Sequence, residues 1–150
     1  MLTDEVIKKI QFEIAEINEE ISAYHPLFKQ CKIKEPDFIE MAALASSLHS
    51  FYNGIEKIFI IIAKSIDNQF PSGKKWHHEL LNEMKTDTNN RENVISNETF
   101  NSLRKYLLFR HYYRHSYSWR LKWDEFSELI FDLEPLWENM KAELDIFLND

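Results

Sequence analysis

"ASSLHSFYNGIEKIFIIIAKSI", residues 45–66, decides the fold. Its apolar positions Ala45, Leu48, Tyr52, Ile55, Phe59, Ile62 and Ile66 advance by three and four throughout. That spacing stacks one side chain per turn on a single face of an α-helix, whereas a strand needs alternation by two. The reading is one long amphipathic rod, entered near Pro36-Asp37. Upstream, Ile7, Ile10, Ile14, Ile17 and Ile21 make a second stripe of the same kind, expected to end near His25-Pro26. Downstream, "QFPSGKK" (69–75) reads as a turn and "WHHELLNEMK" (76–85) as a short helix. "TDTNNRENVISN" (86–97) reads as a polar loop, long for a helical bundle and so expected to be exposed and able to move.

A fourth helix is expected over about Glu98–Tyr117, and a last one from Asp124 as N-cap with Glu125 in the first turn. Phe126, Ile130, Leu133, Trp137, Met140, Leu144 and Phe147 keep one face across Pro135. This predicts a single kinked helix, since proline removes one backbone hydrogen bond without changing the face. The predicted fold is all-α, an antiparallel helical bundle with a kinked C-terminal helix, in one domain over 1–150.

Composition narrows the function. The apolar run "IFIII" (58–62) is far short of a membrane span. The start "MLTDEVIKKI" lacks the basic-then-apolar pattern of a signal peptide, and the lone cysteine, Cys31, suits a reducing cytoplasm. Net charge is −7, yet six Lys/Arg fall between Asn101 and Trp123, a stretch with no Asp or Glu. A basic helix on an acidic body points to an anionic ligand bound locally.

Within that stretch "FRHYYRHSYSW" (109–119) concentrates arginine, histidine and aromatic side chains. The apolar stripe of Leu103 and Leu107 continues in register as Arg110, Arg114 and Tyr117, so arginine is expected to be paired or to face a cleft or interface. His111 and His115, four apart, share a face. A permanent cation, a group titrating near neutrality and a phenol suit phosphodiester chemistry: histidine takes a proton from a ribose 2′-hydroxyl and arginine holds the developing phosphate charge. Tyr112, Tyr113 and Trp119 read as core or interface aromatics, and His77 and His78 as helix-surface residues or lining of the same groove. A zinc site from His111, His115, His77, His78 and Glu79 is the competing reading, weakened by the lack of His-Glu-x-x-His or a cysteine pair.

Arg110, His115 and Tyr117 together spell Arg-x4-His-x-Tyr, with the polar His111 after the arginine. This motif, with "FYNGIEKIF" (51–59) and "WHHELL" (76–81), resembles the HEPN superfamily, in particular its HepT-like ribonuclease toxins. The resemblance implies a metal-independent, cofactor-free endoribonuclease that acts as a homodimer on RNA. It also implies an MNT-type minimal nucleotidyltransferase as antitoxin, which neutralises the toxin by adding AMP to the motif tyrosine. Carried over, Arg110 and His115 would be catalytic and Tyr117 the modified residue. His111 and Arg114 would support them, as would Glu56, expected to orient Arg110 through a carboxylate–guanidinium pair. The alternatives are a catalytically silent helical adaptor binding a nucleotide or partner, and a non-toxic partner subunit of a nucleotidyltransferase.

Overall fold

The computed structural model describes residues 2–149. Five α-helices carry the chain: α1 (Asp4–Gln30), α2 (Phe38–Ile62), α3 (Trp76–Met84), α4 (Asn97–His115) and α5 (Trp123–Leu148). A π-turn over Ala63–Asp67 extends α2, and a 3-10 turn over Ser118–Arg120 precedes α5. Among the described residues there is no β-strand. Helices α1, α2 and α4 begin at side-chain caps, whereas α3 and α5 start without one. Thr3 Oγ1 accepts from Val6 N–H, and Ser96 Oγ from Thr99 N–H. Asp37 and Glu40 form a reciprocal capping box.

Cross-helix contacts give the antiparallel order. His49 and Asn53 of α2 meet Tyr113 and Arg110 of α4, and Tyr106 and Ser96 of α4 bond to Leu129 and Glu143 of α5. Asn18 and His25 of α1 bond to Trp137 and Glu134 of α5. At the centre lies α2, whose stripe is buried at every predicted position from Ala45 to Ile66. Phe51 and Ile58 are buried as well, so the rod is enclosed on more than one face. Each such side chain contributes about 1.5–3 kcal/mol through removal from water.

The end of α1 and the start of α5 differ from the sequence expectation. Helix α1 runs through Pro26 to Gln30. Proline denies one carbonyl its donor, but Tyr24 and Phe28 continue the apolar face, and Phe28 is fully buried, which offsets that loss. Pro135 likewise lies inside a continuous α5. Asp124 is not the cap of α5: Trp123 is already helical, and Asp124 and Glu125 lie together in the first turn, where they face the positive end of the helix dipole. The loop 86–97 is polar and mostly exposed, yet anchored. Val94 and Ile95 are buried, and Arg91 forms a bidentate pair with Asp67 at 2.8 and 2.9 Å.

Gly54 marks the crossing of α1 and α2. A Cβ built there would stand 2.7 Å from Cγ1 of Ile17. That carbon belongs to a β-branched side chain with little freedom to move aside. Gly54→Ala gains about 1 kcal/mol of helix propensity, but overpacking costs typically 1–3 kcal/mol. Net destabilisation is expected in a denaturant melt, and Ile17→Ala in the same chain should reverse the clash component. A Gly54→Ala chain more stable than wild type would show that the crossing is not tight.

Candidate active site

Leu103, Tyr106, Leu107 and Phe109 bury one side of α4 against the core, and Tyr106 Oη donates to the Leu129 carbonyl at 2.6 Å. That anchoring sets the rotation of the helix. Arg110 falls at the margin of the buried face, while Arg104, Lys105, His111, Arg114 and His115 are exposed. The apolar face therefore passes through Phe109 and the half-buried Tyr113, which stacks on Phe109 at 6.0 Å, and not through Arg114 and Tyr117. Helix α4 ends at His115, and Ser116 is extended. Tyr117 thus lies outside the helix in an extended link, 74 % exposed, and not two turns along the face of Arg110.

Arg110 is half-buried, and its Nε donates to Asn53 Oδ1 on α2 at 3.0 Å. Its two Nη groups meet no acceptor among the described residues, which leaves them available for an anion. The expected pair with Glu56 is not formed. Glu56, one turn along α2 from Asn53 and 5 % exposed, bonds to Nδ1 of His77 on α3 at 2.7 Å. Glu56 and Arg110 still share a wall: both border a cavity of about 460 Å³ that runs along α1 and α2. His49, half-buried one turn before Asn53, packs on Tyr113 with ring centroids 5.3 Å apart. Burial, with Arg110 and Arg114 nearby, pushes its imidazole below the usual histidine range.

The rings of His111 and His115 lie 4.7 Å apart, as the four-residue spacing requires. His78 on α3 is exposed towards this group: burial, then Arg104, His77, Lys75 and His111, hold its pKa down. Tyr112 and Trp119, expected as core or interface aromatics, are exposed in the protomer, and Trp119 lies under the Arg120 guanidinium at 4.7 Å. His77 does not behave as a plain surface residue, since it is half-buried and bonded to Glu56. Among the described residues no group of three or more His, Cys, Asp or Glu is placed to hold a metal ion. Among the described residues no helix is long and apolar enough to cross a membrane.

Residues 43–150 match the sequence profile of the family described as HepT-like protein. The chain belongs to that family. It is a HepT-like protein of the HEPN superfamily, and its all-helical bundle accords with this. Comparison with curated proteins and with solved structures finds no significant match. The matched span contains α3, α4, α5 and all but the first turns of α2, hence every residue of the site described above.

Two residues of this HepT-like site escaped the sequence reading, His49 and Asn53. The signal was present: His49, Asn53 and Glu56 step by four and three, a polar line along a largely apolar helix. Polar side chains on a buried helix need partners: α4 bonds Asn53 and α3 bonds Glu56, while His49 has the ring of Tyr113 against it, with its Nδ1 unbonded among the described residues.

Proposed function

We propose that this HepT-like protein is a toxin that cleaves RNA without a metal ion, with Arg110 and His115 as catalytic residues and Tyr117 as the site of its control. The observation that carries the reading is the disposition of Arg110. A half-buried guanidinium fixed through Nε to Asn53, with both Nη groups turned to no protein acceptor, is a preformed clamp for phosphate oxygens. His115, five residues on at the exposed end of α4, accepts the proton of a ribose 2′-hydroxyl. Attack of that oxygen on phosphorus then yields a 2′,3′-cyclic phosphate and a free 5′-hydroxyl. His111 and Arg114 support the site by steering the polyanion and by packing on His115.

One protomer offers a short basic strip, so the working unit is a homodimer that sets two α4 ends about one groove. The exposed Leu108, Tyr112 and Trp119 supply apolar and aromatic area for that contact. Purified protein should cleave single-stranded RNA and retain activity in excess EDTA. Complete loss in chelator, restored by zinc, would refute the metal-free route. Tight RNA binding with no cleavage would favour the silent adaptor instead.

Control rests on Tyr117. Its exposure in an extended link suits presentation to a second enzyme, an MNT-type nucleotidyltransferase. Attack of its phenol oxygen on the α-phosphorus of ATP would leave O-adenylyl tyrosine and release pyrophosphate. The added phosphodiester carries negative charge into the basic strip and competes with RNA for Arg110 and Arg114. Intact mass after incubation with the cognate enzyme and ATP should rise by one adenylyl group in the wild type and not in Tyr117→Phe. An equal gain in both would show that another residue is the acceptor.

A further inference from the structure

The pair of Glu56 and His77 is not accounted for by the reaction as written above. A carboxylate that is 5 % exposed is costly to bury, and its one hydrogen bond runs to a histidine from another helix. That histidine is held twice. Glu56 Oε2 fixes Nδ1 at 2.7 Å, and the indole of Trp76 lies against the ring with centroids 3.6 Å apart and planes 30° from each other. Trp76 is braced in turn by Phe70 at 5.3 Å. With Nδ1 occupied by the carboxylate, the other ring nitrogen, Nε2, is the one left to face a ligand. An ordinary surface histidine has neither constraint.

This pair also lies inside the proposed site. Asn53, the partner of Arg110, is one turn from Glu56 on the same face of α2. His78, next to His77, has its pKa held down by burial first and then by charges that include Arg104 and His111 of α4. His111 packs on His115. Bonds and helix adjacency thus lead from Arg110 through Asn53 and Glu56 to His77, and α3, which carries His77, packs against α4, which carries His111 and His115.

We infer that Glu56 and His77 form an oriented carboxylate–imidazole dyad that supplies the general acid of RNA cleavage. The inference rests on the ribonuclease reading above. As the 2′-oxygen attacks phosphorus, His115 takes the hydroxyl proton, and the bond from phosphorus to the 5′-oxygen breaks. His77, starting as the imidazolium, gives its Nε2 proton to that departing oxygen and is left neutral with its Nδ1 proton held by Glu56. Both histidines then return to their starting states by proton exchange with water. Glu56 is a positioning residue, fixing which nitrogen carries the transferable proton.

The test compares ordinary single-stranded RNA with RNA of the same mixed sequence carrying 5′-bridging phosphorothiolate linkages. There the leaving atom is sulfur, which departs as thiolate and needs no acid. On ordinary RNA, His77→Ala should lower the rate by about 10²-fold or more. On the thio substrate it should run within about tenfold of wild type, whereas His115→Ala is slow on both. His77→Gln, whose amide can still donate to Glu56, should behave as His77→Ala and guards against loss of fold. Wild-type rate for His77→Gln on ordinary RNA, or equal losses on both substrates, would overturn the assignment of His77 alone. A wild type that cleaves neither substrate would overturn the ribonuclease reading itself.

Discussion

Arg110→Ala and His115→Ala are each expected to lower RNA cleavage by about 10²- to 10³-fold, the usual effect of removing one preorganised charge donor or one proton-transfer group. Helicity should be preserved. His115 is exposed at the last position of α4, and removing Arg110 strands only the Asn53 amide, a cost of about 1 kcal/mol. The double variant should fall little below the worse single variant, because both groups act on one transition state. Arg110→Lys is informative as well: an ammonium keeps the charge but cannot hold Asn53 and two phosphate oxygens in one plane, so most of the loss should remain. Strictly multiplicative losses in the double variant would mean that the two residues serve separate steps.

The second large effect concerns stability, at a site remote from the chemistry. Arg91 is buried with Asp67, and their side chains are 3 % and 6 % exposed. Its guanidinium also donates to the carbonyls of Thr86, Glu83 and Glu92. Arg91→Ala leaves a buried carboxylate without a donor and takes one from the carbonyls of Thr86 and Glu92, while that of Glu83 keeps the Thr86 N–H; breaking a buried pair in this way costs about 3–5 kcal/mol. For a chain of this size that corresponds to a fall in Tm of roughly 10 °C. The paired change Arg91→Met with Asp67→Leu should recover much of the loss, because no charge is then stranded. A fall of less than about 2 °C for Arg91→Ala would show that water or a neighbour replaces the arginine.

The parts legible in the sequence are those that one periodicity determines. The stripe of α2 is buried residue by residue, and the unbroken apolar face of α5 predicts a single helix across Pro135, which is what forms. What was not legible depends on which helix stands opposite. Glu56 has a guanidinium and an imidazole within its reach in sequence terms, and only the placement of α3 decides for His77. Arg114 shares the spacing of Leu103 and Leu107, but α4 is rotated by the burial of Tyr106 and Phe109, which turns Arg114 outwards. Spacing also extended α4 to Tyr117. Ser116 instead adopts an extended conformation, and the helix stops at His115. In the loop 86–97 polarity correctly implied exposure. It gave no hint that Arg91 would turn inwards, since the acceptor, Asp67, lies 24 residues earlier.

That inward turn alters how the chain meets proteases. Residues 86–97 look like a cleavable linker, rich in Asn and Thr and joining two helices. Their one basic residue is Arg91, the position trypsin would require. With its side chain enclosed by Asp67 and three carbonyls, this bond can be cut only after the loop lifts from the end of α2. The neighbouring turn at Lys74 and Lys75 is exposed and carries no such clasp. Native tryptic nicking should therefore spare the bond after Arg91 relative to those after Lys74 and Lys75.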